Sequence, residues 1–256
     1  MVCGWRGAEL KPEAQWVLDL GSGVGSVGLT ALWRLPEAAR LVMVEAQEAS
    51  VRLARKSVEA NGLEERVRIV HGDLREFRES GFDLVTGSPP YFRPGNAVAS
   101  PNSQRAHCRL ELRGGVDEYC EAAARCLKPG GVFVFVMAAA DTRCEEAPRR
   151  AGLDVIERYD FAFKRGRAPH ISTIACRLRR RDEVMLPPRR DVVMTLREAD
   201  GRRSVEYRSW QVLMQQQQVS VAPPDCRRRS HEEIITLVRG FLTWVEYSHH
   251  HRIADR

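Results

Sequence analysis

The segment Trp16-Val17-Leu18-Asp19-Leu20-Gly21-Ser22-Gly23-Val24-Gly25 constrains this chain more than any other. An apolar run ends on closely spaced glycines, and Ser26 to Leu35 then read as a helix stopped by Pro36. A strand that runs into a tight glycine turn and straight into a helix opens a parallel sheet. The turn also admits a ligand close to the backbone, and the following helix aims its free N–H groups at that ligand.

The alternation continues along the chain. Residues 40–45 (RLVMVE) read as a second strand, and Glu48 to Ala60 as a helix closed by Asn61-Gly62. Val67–Val70 and Phe82–Thr86 are the third and fourth strands. A polar loop spans roughly residues 92–113, before a helix over Val116–Leu127 that ends at Lys128-Pro129-Gly130-Gly131. Val132–Met137 is apolar throughout, as a central parallel strand should be. A helix to about Ala151 and strands at Val155–Phe161 and Ile171–Leu178 follow. The expected fold class is α/β and Rossmann-like: a seven-stranded, mostly parallel sheet with helices on both faces. Val192–Leu196 and Ser204–Tyr207 flank Ala199-Asp200-Gly201 and read as an added hairpin. The domain is expected over residues 1–215. Residues 216–256 read as an extension, a Pro- and Arg-rich linker plus one amphipathic helix over Glu232–Tyr247, open to a protein partner.

The apolar run Val132–Ala140 is too short to span a bilayer, and MVCGWRGAEL has no signal-peptide core, so a cytoplasmic protein is expected. The 7 cysteines form no CxxC pair and read as free buried thiols, with no metal site. His249-His250-His251 reads as tail. The net charge of +6 is uneven. The signs nearly balance through Asp141, and the basic excess follows in runs such as Arg179-Arg180-Arg181 and Arg227-Arg228-Arg229. A polyanionic partner fits that distribution.

Three carboxylates fall at the carboxyl ends of the first three strands, where open sheets bind ligands. Asp19 is placed to meet a cationic amino-acid end of a cofactor. Glu45, with Ala46 beside it, is placed to accept from ribose hydroxyls. Asp73, with Leu74 beside it, is placed to accept from an adenine amino group. With Gly21, Gly23 and Gly25 this set fits S-adenosyl-L-methionine better than a dinucleotide. After the fourth strand comes Ser88-Pro89-Pro90-Tyr91. The prolines stiffen an extended chain, so the Ser88 hydroxyl and Pro89 carbonyl can both accept hydrogens of an exocyclic amine. Two acceptors there stabilise the positive charge that develops as the amine attacks a methyl group, and no strong base is needed. Tyr91, or Phe92, can stack on the base. Arg105, His107, Arg109 and Arg113 lie in the following loop, where a nucleic-acid target would approach. Arg165 and Arg167, in Lys164-Arg165-Gly166-Arg167, are candidates for phosphate contact.

These motifs resemble class I methyltransferases that carry an Asn/Asp/Ser-Pro-Pro-aromatic sequence. Over Ser88–Val136 and Asp191–Arg208 the chain more closely resembles the bacterial family that N6-methylates an adenine beside the anticodon of a valine tRNA. The likeness covers about residues 14–215. It implies S-adenosyl-L-methionine as cofactor, an RNA substrate and RNA modification as the role. The sequence has Ser88 where that family usually has Asn. It also has no match in residues 1–15 to the family's segment that covers cofactor and target, so that cover is expected to be missing. A protein glutamine N5-methyltransferase, a DNA amino-methyltransferase, or a catalytically weak RNA-binding protein on this fold stay open as alternatives.

Overall fold

The computed structural model describes residues 2–93, 110–180 and 188–212. Arg105, His107, Arg109 and the extension from residue 216 lie outside the described residues. Helix α1 (Val2–Leu10) leads into strand β1 (Trp16–Leu20), helix α2 (Ser26–Arg34), β2 (Arg40–Glu45), α3 (Glu48–Ala60), β3 (Val67–His71) and β4 (Phe82–Gly87). Helix α4 (Val116–Cys126), β5 (Leu127–Ala138), α5 (Arg143–Arg150), β6 (Leu153–Ala162), β7 (Ile171–Leu178) and β8 (Arg190–Thr195) follow.

The sheet order is β3-β2-β1-β4-β5-β7-β6-β8. β7 runs antiparallel between β5 and β6, and every other pairing is parallel. Side chains alternate between two buried layers. Leu18, Leu20, Val42, Val85, Phe133 and Phe135 pack with Tyr119, Cys120 and Ala123 of α4 and Cys144 and Ala147 of α5. Val17, Leu41, Met43, Leu84, Val132 and Val134 pack with Cys3 and Ala8 of α1 and Ala31 and Leu32 of α2. Helices on both faces are what a parallel sheet needs, because neither face meets water.

Three features differ from the sequence reading. The sheet has eight strands, not seven, because Arg190–Thr195 joins it parallel to β6. The expected hairpin is one antiparallel bridge, Arg197 with Arg203, and residues 205–212 are helical. The reason is Ser204, which is fully buried. Its hydroxyl donates to the Thr195 carbonyl and accepts from the Tyr207 N–H, an N-cap rather than a strand residue. The third feature is α1, for which residues 1–15 gave no signal. Gly4 lets it approach α2 at backbone distance, since a Cβ there would lie 2.2 Å from the Val27 carbonyl oxygen. Arg6 then anchors α1 across the sheet by two 2.6 Å bonds to the buried Glu157.

Candidate active site

Register puts the candidate residues on one ledge. Leu20 pairs with Val44 of β2 and Gly87 of β4, Glu45 pairs with His71 of β3, and Gly87 pairs with Phe135 of β5. Gly21, Glu45, Gly72-Asp73 and Ser88 therefore leave neighbouring parallel strands at about the same level. The order reverses between β1 and β4, the switch point where open sheets of this kind open a crevice.

The turn is held from below. Gly21 and Gly23 have φ of 59° and 56°, and the would-be Cβ of Gly23 meets nothing within 4 Å. The buried Glu45 accepts from the Gly23 N–H at 2.8 Å and the Gln47 N–H at 2.7 Å. Asp19 is 1 % exposed; it accepts from the Gly28 N–H at 2.9 Å and the Thr86 hydroxyl at 2.7 Å. Burial pushes its carboxyl up to about 6, against the opposing pull of those two bonds. The structure thus places Asp19 beneath the turn, its oxygens engaged inside the protein. Ser22 Oγ, at the centre of the turn, is buried and makes no hydrogen bond. Such an orphaned donor beside an open glycine is what a site built for a polar ligand shows.

At the far side, Asp73 lies under a bidentate Arg75, with Nε at 2.9 Å and Nη2 at 2.6 Å, and this pairing chiefly holds its carboxyl below the usual range. Leu74 is buried, and its carbonyl accepts from Arg125. The Ala46 carbonyl accepts from Arg113 Nη1 at 2.9 Å, with His71 Nε2 at 3.3 Å. Arg75 and Arg113 thus stand over the residues assigned to the nucleoside half of the cofactor; the sequence reading turned Arg113 toward a nucleic-acid target and gave no sign of Arg75.

In the motif, Ser88 is exposed, Pro89 and Pro90 are buried, and Tyr91 is half-buried. Burial raises the Tyr91 phenol above its ordinary range, and the Ser88 hydroxyl bonded to it works the other way. Behind both motifs stands Tyr119 of α4, also absent from the sequence reading. Its hydroxyl lies 1.9 Å from where a Gly21 Cβ would be, and its ring 2.9 Å from a Cβ at Gly87. Only the spacing of buried positions along α4 pointed to it. Arg165 is gripped by Glu198 and Glu206, while Lys164 and Arg167 are exposed on the same turn between β6 and β7. Among the described residues no group of three His, Cys, Asp or Glu could hold a metal ion. No described helix is long and apolar enough to cross a membrane.

The methyltransferase small domain model matches residues 8–147. Among curated proteins, the chain is 28% identical over 195 residues to the tRNA1(Val) (adenine(37)-N6)-methyltransferase of Tolumonas auensis, covering 76% of this chain and 79% of that one. It is 24% identical over 202 residues to the protein of the same name from Proteus mirabilis, covering 77% and 79%. A predicted O-methyltransferase of Agrobacterium tumefaciens shares the fold, with a TM-score of 0.55 at 15% identity over 74% of this chain and 85% of that one. The chain belongs to the methyltransferase small domain family, S-adenosyl-L-methionine-dependent methyltransferases on a Rossmann-like sheet.

Proposed function

We propose that the protein methylates N6 of an adenine in tRNA, beside the anticodon, in the cytoplasm. The observation that carries this reading is the Leu20–Gly87 register, which sets Ser88-Pro89-Pro90-Tyr91 directly beside the Gly21–Gly25 turn. Two relatives that match over three quarters of the chain bear the name of that activity.

The residues of the turn fit the cofactor. When bound, S-adenosyl-L-methionine supplies a methyl group on a sulfonium, activated for in-line attack. Gly21 to Gly25 offer backbone and the unpaired Ser22 hydroxyl. Glu45 retains lone pairs for ribose hydroxyls while it fixes Gly23. Asp73 remains the candidate acceptor for the adenine amino group, in competition with Arg75. Asp19 supports the site through Gly28 and Thr86, and places a carboxylate under the end where the cationic amino group belongs.

Ser88 and Tyr91 share a hydrogen bond, and the Ser88 oxygen keeps a lone pair for the cleft. With the Pro89 carbonyl it accepts both hydrogens of the target amine and holds the nitrogen lone pair toward the methyl group. Positive charge grows on that nitrogen as the bond forms, and the two oxygens stabilise it in place. The surplus proton leaves to solvent, which reaches Ser88. Tyr91 stacks on the base. Lys164 and Arg167, and in the loop Arg105, His107 and Arg109, are the proposed contacts to RNA. Arg165 would have to leave its two carboxylates to join them.

Transfer of labelled methyl from S-adenosyl-L-methionine to total tRNA, followed by nucleoside analysis, tests this. Label in N6-methyladenosine is expected. Label in another nucleoside, or none while the cofactor binds, would overturn the substrate assignment.

A further inference from the structure

A charged cluster lies on the far side of the motif from the cofactor turn. Arg143, the first residue of α5, is 8 % exposed. Its guanidinium pairs with Glu111: Nη1 donates to Oε2 at 3.1 Å, and Nη2 lies 2.8 Å from Oε1 as an ion pair. It also meets Asp141, with Nη2 at 2.8 Å and Nε at 3.1 Å, while its backbone N–H caps the same carboxylate at 3.0 Å. Burying one cation and two anions is a weak way to stabilise a fold, because desolvation consumes most of the attraction. A set of apolar side chains would hold the same segments.

What the cluster does hold is specific. Phe92 follows Tyr91, and Leu110 begins the chain that returns from the loop after the motif. Phe92 and Leu110 form a bridge, and the Glu111 N–H donates to the Phe92 carbonyl at 2.9 Å. Glu111 is thus attached to the motif by its backbone and to α5 by its side chain. Arg93, next along, carries a positive charge near enough to Asp141 to help lower that carboxyl. Tyr91 packs against the buried layer that contains Cys144, the residue beside Arg143. The cluster therefore connects the aromatic end of the motif to the rigid end of β5 and α5.

We propose that Glu111, Arg143 and Asp141 form a positioning triad for the target base: they clamp the returning chain so that Tyr91 and Phe92 keep the angle at which they receive it. This rests on the reading that the acceptor is a base on RNA. The triad touches neither the cofactor residues nor the reacting nitrogen, so its effect should fall on the methyl-transfer step and spare cofactor binding.

The test compares wild type, Glu111→Gln and Arg143→Lys. The first removes one charge and keeps the shape; the second keeps a cation and loses the fork. Single-turnover transfer to tRNA at saturating cofactor is measured beside calorimetric affinity for S-adenosyl-L-methionine and thermal unfolding. A misplacement of about 1 Å costs on the order of 100-fold in rate. A loss of roughly 10- to 100-fold in both variants is expected, with cofactor affinity within about twofold of wild type. A wild-type rate in either folded variant overturns the proposal, as does equal loss of rate and cofactor affinity. Failure of both variants to fold would make the triad a folding element and likewise overturn it. A wild-type protein that does not methylate tRNA refutes the underlying reading instead, whatever the variants do.

Discussion

Gly21→Ala and Gly23→Ala should separate the two things that glycine does in the cofactor turn. Both residues sit in the left-handed region, at φ 59° and 56°, where an L side chain costs about 1–2 kcal/mol. Beyond that the surroundings differ. A Cβ on Gly23 meets nothing within 4 Å, so backbone strain is the whole cost. A Cβ on Gly21 overlaps the Tyr119 hydroxyl at 1.9 Å and crowds its Cζ at 2.9 Å. Tyr119 is 6 % exposed and cannot swing aside without opening the core around Phe133 and Cys120. Overpacking of that kind adds about 1–3 kcal/mol. For a unit of this size each kcal/mol moves the midpoint by roughly 2–4 °C. Gly23→Ala should lower Tm by about 2–8 °C and Gly21→Ala by about 4–20 °C. Both should lose cofactor affinity, Gly23→Ala because its methyl group enters the open space over the turn and Gly21→Ala because the clash with Tyr119 displaces the turn. Scanning calorimetry and cofactor titration read the two effects apart. Adding Tyr119→Phe to Gly21→Ala removes the worst overlap and should return part of the lost Tm. Equal losses of stability in the two single variants, or no recovery in the double variant, would refute the assignment of Tyr119 as the wall behind the turn.

Ser88→Ala should lower the transfer rate by about 10²–10³-fold while leaving cofactor affinity unchanged, since it removes one preorganised acceptor; loss of cofactor binding in this variant would count against the role. Asp19 makes the stability pH-dependent in an unusual direction. Its folded value of about 6 lies above the ordinary 3.8, so its contribution is full below pH 3.8 and is lost as pH rises through 6. Wild type should therefore lose up to about 3 kcal/mol relative to Asp19→Asn between pH 4 and 7, measured by urea unfolding at each pH, and a flat difference would show that the burial cost has been misjudged. Replacing Lys164 and Arg167 together by Ala should weaken tRNA binding uniformly and lower the slope of log affinity against log salt by about 2, whereas Arg165→Ala should leave that slope within about 0.5. An equal effect from Arg165 would mean that its carboxylate partners release it.

The sequence was most legible where one chemical signal had one structural solution. β7 lies over the residues read for it, Ile171–Leu178, and β1 fills the apolar run before the glycines. The ledge followed from register, because strands that all enter turns after similar lengths in a parallel sheet must end side by side. What escaped was set by contacts between distant segments. Helix α1 carries two glycines in nine residues, a poor helix by propensity, yet Gly4 is the contact that lets it dock. Ser204 looked like part of a strand because Ala199-Asp200-Gly201 is a hairpin signal, and only the buried Thr195 carbonyl converts it to a cap. The pairing of Arg143 with Glu111 crosses 32 positions, and no local pattern announces it.

The arginine runs show the same limit for charge. Counted along the chain, the second half promises a basic surface. In the structure Arg150 is matched by Asp117, Arg158 by Asp160, Arg179 by Asp154, Arg189 by Glu145 and Arg202 by Asp200. Arg165 stands between two carboxylates, so that group of three side chains is itself net negative and cancels part of the charge of Lys164 and Arg167. A polyanion senses the sum within a Debye length of about 8 Å, and paired arginines contribute little to it. The cations left to act among the described residues at the carboxyl-end edge are few, and Lys164 and Arg167 hold that position because β5 and β6 both run antiparallel to β7, so β6 ends at the edge where β5 ends. Under the proposed function, attraction of RNA to this face depends on individual side chains placed by strand direction rather than on net charge. That is why two substitutions on one turn should change the salt dependence when the loss of Arg165 should not.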